Sequence, residues 1–400
     1  MQTTIRESIK SDFAIFQEIS PSGRELTYLD SAATSLRPQR VVDAVVGAMS
    51  RSSGGVHRSV HYLGDRATET YENARIAVSR WVRGVENELV FTRNTTEGLN
   101  LVARGWPDLG RIIVSATDHH SALLAWDPDR TTRVLPNLDG SLDEESIVNE
   151  LRRQNVSVVC ISHVSNVTGG APNVARLAEE SHRHGAILVL DAAQSAPHGP
   201  LDTEQLGCDF LAFSGHKLGS PAGIGVLWGK AEQLHRINTV VRGGGIVESL
   251  RDGQVIYKDD PWRLEAGTPS VECAAGLDAA VEYLWQFAPG QIHEHVRSLR
   301  NYAIEKLASI PKLRWISSMD AEASGPLSFL IEGYSSHVIA RGLSDAYGIC
   351  LRSGFHCAEP LHQFLGIGPT LRLSFYVYNQ PQDIDFVVDA IKELIAVTPR

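Results

Sequence analysis

The feature that most constrains this chain is a succession of short, almost uninterrupted apolar runs through its middle. ELVFTR (88–93) reads as a strand and TTEGLNLVARG (95–105) as the helix after it. RIIVSA (111–116), VSVVCISHV (156–164), AILVLDAAQ (186–194) and CDFLAFSGHK (208–217) read as further strands, with VARLAEESHRHG (174–185) as a helix between two of them. GIGVLWG (223–229) reads as a hairpin-like return. Runs that are apolar along nearly their whole length fit strands covered on both faces. Their alternation with helical patterns predicts an α/β fold with a mostly parallel sheet.

After about residue 285 the texture changes. A long helical pattern (293–310), two strand-like runs (LRWISS and PLSFLIEG) and a terminal amphipathic helix (DIDFVVDAIKELIAV) predict a smaller α+β domain. The expected division is an N-terminal segment 1–25, a large domain 26–285 and a small domain 286–400, with a helix over 4–18 packing on the small domain. Four hundred residues suit two to three domains at about 150 residues each.

Charge and composition remove several classes of function. Thirty-seven basic against 47 acidic side chains give a net charge of −10, the opposite of a bulk nucleic-acid binder. No apolar stretch approaches the ~20 residues of a membrane span. The N-terminus lacks the basic-then-apolar pattern of a signal peptide. Five cysteines without CxxC pairing predict neither a disulfide nor a metal framework, and fit a reducing compartment. The expectation is a cytoplasmic protein with no nucleic-acid, membrane or metal partner.

In open α/β sheets, ligands sit beyond the carboxyl ends of the strands. There this chain places Asn94, Thr95 and Thr96; then Asp118, His119 and His120; then His163 and Asn166; then Asp191 and Gln194; then Ser214, His216 and Lys217. Lys217 reads either as a helix-start lysine in water or as a Schiff-base lysine with a lowered pKa. Asp191 reads as a helix cap or as the partner of a protonated pyridine nitrogen. Thr95 and Thr96 read as a capping box or as phosphate ligands at a helix N-terminus, with Ser214 and His216 beside them. His119 reads as a strand-end histidine bonded to backbone or as a ring that stacks on a flat cofactor and shuttles a proton. Gln194 caps a turn or donates to a ring oxygen. Each signal is weak alone; together they spell pyridoxal phosphate.

The strings YLDSAATSLRPQ, VHRSVHYLGDRATETYENAR, FTRNTTEGLN, HVSNVTGG, VLDAAQSAPH, CDFLAFSGHKL, PWRLEAGTP and RSGFHCAEPL occur in that order. With them the chain resembles the class V aminotransferase family, and within it the cysteine desulfurases and selenocysteine lyases of the SufS/CsdA type. The resemblance runs from about residue 26 to 395. It implies the fold-type I architecture of pyridoxal 5′-phosphate enzymes and an obligate homodimer with shared active sites. In this resemblance Lys217 carries the cofactor, Asp191 binds its ring nitrogen, Gln194 its hydroxyl, and His119 stacks on the ring. Thr95, Thr96, Ser214 and His216 bind the phosphate, and Thr268 reaches the phosphate of the neighbouring subunit. Arg372 clamps the substrate carboxylate near Asn166. Cys357 is the nucleophilic thiol, with Arg352 and His356 beside it, and His57 lies in the matching VHRSVH loop.

The implied reaction converts L-cysteine to L-alanine, leaving a persulfide on Cys357 for a sulfur-acceptor protein. Selenocysteine cleavage, or C–S lysis in a specialised pathway, is the alternative on the same cofactor; a transaminase and a scaffold without catalysis are weaker readings. Cys160, Cys208, Cys273 and Cys350 read as small structural hydrophobes. Cys357 comes shortly after Gly354 in a short polar stretch, which predicts a mobile or exposed thiol. Two positions depart from the relatives' pattern. Phe355 stands where they often carry a first histidine, and Glu359 where they often carry an apolar residue; a carboxylate there disfavours a thiolate.

Overall fold

The computed structural model describes residues 5–21, 23–108 and 110–397. Seven strands form the central sheet: β1 (Leu89–Thr92), β2 (Arg111–Ser115), β3 (Thr131–Val134), β4 (Val156–Ser162), β5 (Ile187–Asp191), β6 (Phe210–Ser214) and β7 (Gly225–Gly229). Their spatial order is β1-β7-β6-β5-β4-β2-β3. Only β7 runs against the rest, so β1, β2, β4, β5 and β6 all end on one edge.

Alternate residues of these strands feed two separate apolar clusters. Val159, Ile161, Leu188 and Leu190 point into one; Val158, Cys160, Ile187 and Val189 point into the other. That period of two, with both faces covered, is why the runs are apolar throughout. The edge strand β3 lacks this signature because its first three residues, Thr131, Thr132 and Arg133, are polar and only Val134 is buried. The register levels the polar strand ends: Ser162 lies opposite Asp191, and Asp191 opposite Ala212.

A second sheet lies C-terminal: β8 (Leu313–Trp315), β9 (Leu327–Ile331), β10 (Arg352–Gly354) and β11 (Thr370–Leu373), antiparallel in the order β8-β9-β11-β10. The α/β class and the mostly parallel sheet expected from the sequence are both present, together with this antiparallel C-terminal sheet. The helices that bear on the site are α1 (Tyr62–Trp81), α2 (Thr95–Gly105), α3 (Val271–Leu284), α4 (Glu359–Phe364) and α5 (Pro381–Val397).

The N-terminal segment corrects one expectation. Instead of one helix over 4–18 it forms two 3-10 helices, Glu7–Asp12 and Ala14–Gln17. Between them Phe13 is extended (φ −117°, ψ 100°), which swings its ring edge-on to Tyr283 of α3 and Tyr378, at 5.8 and 5.0 Å. Lys10 Nζ donates to Asp383 of α5 at 2.6 Å. The segment thus touches α3 as well as α5, and aromatic burial overrides the helical pattern. Phe13→Ala is expected to cost about 3–5 kcal/mol in denaturant unfolding and to expose the N-terminal segment to limited proteolysis. A Phe13→Leu variant should lose much less.

Candidate active site

A cavity of about 220 Å³ opens where the parallel strands end, and residues at or just beyond the ends of β1, β2, β4, β5 and β6 all line it. At one end is the N-terminus of α2. Its cap is Asn94, whose Oδ1 accepts from Glu97 N–H at 2.9 Å. Thr95 and Thr96 are therefore not a capping box. The Thr95 hydroxyl pairs with Ser214 Oγ at 2.6 Å, and the Thr95 N–H donates to the same Oγ at 2.9 Å. The close approach of this turn to β7 requires glycine: a Cβ on Gly225 would lie 2.6 Å from Asn94 Cα. His216 lies beside this end, its Nδ1 3.2 Å from Thr34 Oγ1. Burial, with help from Lys217, pushes its pKa down to about 4, so it is neutral at neutral pH.

His119 lines the same cavity through a turn fixed by Asp118. The buried Asp118 carboxylate accepts from Ser115 N–H and Ser162 N–H, both at 2.9 Å, joining the ends of β2 and β4. Burial pushes its pKa up to about 6. Ser121 N–H donates to His119 Nδ1 at 3.1 Å. Nδ1 is thus the unprotonated nitrogen, and Nε2 carries the proton. Burial and then Lys217 push the ring's pKa down to about 3. The Ser121 hydroxyl also links His119 Nδ1 (3.0 Å) to the Thr96 hydroxyl (2.7 Å).

Lys217 and Asp191 occupy the floor. The lysine's amine has no hydrogen bond or ion pair among the described residues. Burial lowers its pKa to about 8, partly opposed by Asp191. Asp191 is 5% exposed, and burial raises its pKa against the opposing effects of the Ala193 N–H and Lys217. One of its oxygens accepts from Ala193 N–H at 2.9 Å; the other has no partner among the described residues. A simple capping role leaves that second oxygen unexplained. Gln194 Nε2 donates to Ala32 O at 3.0 Å, which anchors the amide on the cavity wall.

The second sheet contributes positive charge and the thiol. Arg352 of β10 and Arg372 of β11 are direct cross-strand partners, so their side chains leave the same face. Arg372 is 1% exposed. Its Nη2 donates to Asp30 Oδ1 at 3.0 Å and its Nη1 to Asn166 O at 3.1 Å, while Nε is buried without a partner. Burial pulls its pKa down and Asp30 pulls it back up. Asn166 Nδ2 donates to His356 O at 2.6 Å, leaving its Oδ1 unpartnered.

Cys357 is half-buried, with its Sγ 3.9 Å from Arg352 Nη2. Against the expectation of a mobile or exposed thiol, the side chain is only partly exposed. His356 and Cys357 adopt consecutive left-handed conformations (φ 54° and 57°), which non-glycine residues keep only when their surroundings enforce it. Asn166 holds the His356 carbonyl, and His120 N–H holds the Cys357 carbonyl at 2.9 Å. The His356 ring is committed to Thr370 Oγ1 at 2.9 Å, and burial drives its pKa to about 2. Glu359, on the first turn of α4, places Oε2 2.6 Å from His120 Nε2.

Three expected site residues are not among those lining this cavity: Cys357, which lies beside Arg352 at its edge, Thr268 and His57. Thr268 is exposed, and His57 is bonded to Glu72 at 2.8 Å on the surface. A buried pair, Arg75 with Glu265 at 2.9 Å, ties α1 to the loop that bears Thr268. Strand ends alone give no role to Asp30, Ser121 or Asp118. Asp30 follows the short strand Thr27–Tyr28, remote in sequence from the strands that line the cavity.

The chain belongs to the class V aminotransferase family, whose model matches residues 27–387. It is 38% identical to a probable cysteine desulfurase of Halalkalibacterium halodurans over 96% of this chain and 97% of that one. A probable cysteine desulfurase of Streptomyces coelicolor is also 38% identical, over 97% and 96% of the two chains. Among solved structures, the cysteine desulfurase CsdA of Escherichia coli superposes with a TM-score of 0.88 at 36% identity, covering 98% of each chain. The apo cysteine desulfurase of Thermococcus onnurineus gives 0.90 at 34%, covering 98% and 99%. Cysteine desulfurases of this family use pyridoxal 5′-phosphate. The cavity fits that group: a free amine, a carboxylate with one unpartnered oxygen, and a capped helix N-terminus lined by the Thr95, Thr96 and Ser214 hydroxyls.

These electrostatics give two expected outcomes. In histidine-labelled apoprotein, nitrogen NMR should find His119 protonated at Nε2 alone, and neutral at every pH above about 5; a doubly protonated ring at pH 6 would contradict it. The rate at which apoprotein takes up pyridoxal 5′-phosphate should climb with pH and level off above about 8, as the Lys217 amine loses its proton.

Proposed function

We propose that this chain is a pyridoxal 5′-phosphate-dependent cysteine desulfurase that converts L-cysteine to L-alanine and carries the sulfur as a persulfide on Cys357. The observation that carries the reading is the single cavity shared by Lys217, Asp191 and the Arg352–Arg372 pair, with the Cys357 thiol fastened beside Arg352.

In this reading Thr95, Thr96, Ser214 and His216 hold the phosphate, the α2 dipole adding to their donors. Asp191 keeps the ring nitrogen protonated, Gln194 donates to the ring hydroxyl, and His119 lies on the ring face. When bound, the cofactor supplies an electron sink that acidifies the substrate's Cα–H and opens its sulfur to attack. Lys217 would take and return protons at its Nζ; a pKa near 8 suits both tasks. Arg372 grips the substrate carboxylate with two parallel N–H donors, with Asn166 close by. His119 presents a proton at Nε2 to the reacting carbons.

Cys357, with its Sγ 3.9 Å from Arg352 Nη2, attacks the substrate sulfur as thiolate. The carbon–sulfur bond breaks, and its electron pair stays with the three-carbon fragment. That fragment takes up protons and leaves as alanine, while Cys357 keeps the sulfur. An acceptor protein then removes it. Phe355, 37% exposed next to His356, gives such a partner an apolar foothold.

A homodimer completes the reading. Val60 and Tyr62, flanking His61 near His57, are 102% and 71% exposed, and Val46 and Met49 of the helix Gln39–Arg51 are 59% and 62% exposed. These apolar side chains suit a second copy. Thr268 and His57 would then serve its site. All five cysteines are free, which suits a cytoplasmic location, and no helix of the described residues is long and apolar enough to cross a membrane.

The test is incubation of the cofactor-loaded protein with L-cysteine. Alanine should appear together with one added sulfur atom on the Cys357 peptide. Cys357→Ala should keep the cofactor's absorbance yet lose cysteine turnover by at least about a hundredfold. Selenocysteine cleavage that survives in this variant would mark the alternative substrate, and absence of both products would reject desulfuration.

A further inference from the structure

Arg352 and Arg372 stand directly opposite each other on paired strands, an arrangement that repels unless an anion lies between or beside them. Among the described residues one carboxylate bonds to either guanidinium. It is Asp30, at 3.0 Å from Arg372 Nη2, with side chains 23% and 1% exposed. Asp30 is held there independently of that bond. Its backbone bridges to Ser374, two residues beyond Arg372. Ser374 Oγ accepts from Ala32 N–H at 2.8 Å, so the Asp30 loop and β11 move as one.

Arg372 has five N–H donors. Asp30 and Asn166 O take one each, and Nε has none. Donors therefore remain for an incoming carboxylate, but that carboxylate must share its cation with Asp30. Two arginines less one aspartate leave a single positive charge, which matches one substrate carboxylate.

We propose that Asp30 is a positioning residue of the substrate-carboxylate site, acting both as the aim and as the resident counter-ion of Arg372. Its hydrogen bond fixes where the guanidinium points. Its charge competes with the amino-acid carboxylate and so weakens substrate binding. The proposal rests on the reading of Arg372 as the carboxylate clamp.

The two contributions separate by substitution. Asp30→Asn keeps an oxygen acceptor for Nη2 and removes the charge. Asp30→Ala removes both. In cofactor-loaded protein, titration with L-alanine read through the cofactor's absorbance should show severalfold tighter binding for Asp30→Asn and at least about tenfold weaker binding for Asp30→Ala. The same opposite changes should fall on KM for L-cysteine rather than on kcat. A residue that merely supports the fold would shift both variants toward weaker binding, and that result, or unchanged affinity in Asp30→Asn, overturns the proposal while leaving the clamp intact. Wild-type protein that binds cysteamine as well as L-cysteine would overturn the clamp itself, and with it the proposal.

Discussion

Charge balance in and beside one largely buried cavity governs this structure. Lys217, Arg352 and Arg372 line it with Asp191, and Asp30 bonds to Arg372 from just outside. Three cations on two carboxylates leave an excess positive charge, in surroundings where Coulomb interactions are several times stronger than in water. Such a site attracts anions, and both partners of the proposed reaction carry them: a phosphate at one end and a carboxylate at the other. The two neutral imidazoles, His119 and His216, fit the same account. A further positive charge beside Lys217 is costly, and burial with Lys217 keeps both rings unprotonated. That leaves His119 as a hydrogen-bond donor at a known nitrogen rather than as an imidazolium.

The thiol illustrates how a reactive group is held rather than merely exposed. Consecutive left-handed residues at His356 and Cys357 are unfavourable by themselves. They persist because Asn166 and His120, which lie beyond the ends of two strands of the other sheet, grip the two carbonyls. The strand-end cavity and the Cys357 turn are thereby joined across the two sheets. Glu359, the carboxylate two residues after the thiol, lies against the His120 imidazole.

Much of the fold and site is legible in the sequence, for reasons that are physical. Strands buried on both faces must be apolar along their length, so β4, β5 and β6 announce themselves. The residues just beyond them carry the polar groups, so Thr95, Asp191 and Lys217 can be read as a site before any geometry. The match of TTEGLNLVARG to α2 is complete. Edge strand β3 stays hidden because a strand with one open side need not be apolar. The 4–18 stretch misleads because its apolar spacing reflects burial of Ile5, Ile9 and Phe13, and burial at helical spacing does not by itself require a continuous helix. Asp30 and Ser121 are illegible for another reason. Their partners, Arg372 and Thr96, lie 342 and 25 positions away, and only the fold brings them together.

The split of the site between two sheets has an evolutionary reading. The large sheet and the loops at its strand ends supply every group assigned to the cofactor within one chain, while β10, β11 and the segment between them supply the thiol and two arginines. On the proposed reading, substitutions in that C-terminal stretch would redirect which amino acid is admitted without disturbing the half that would hold the cofactor. A scaffold divided in this way can acquire new chemistry by drift in a few dozen codons.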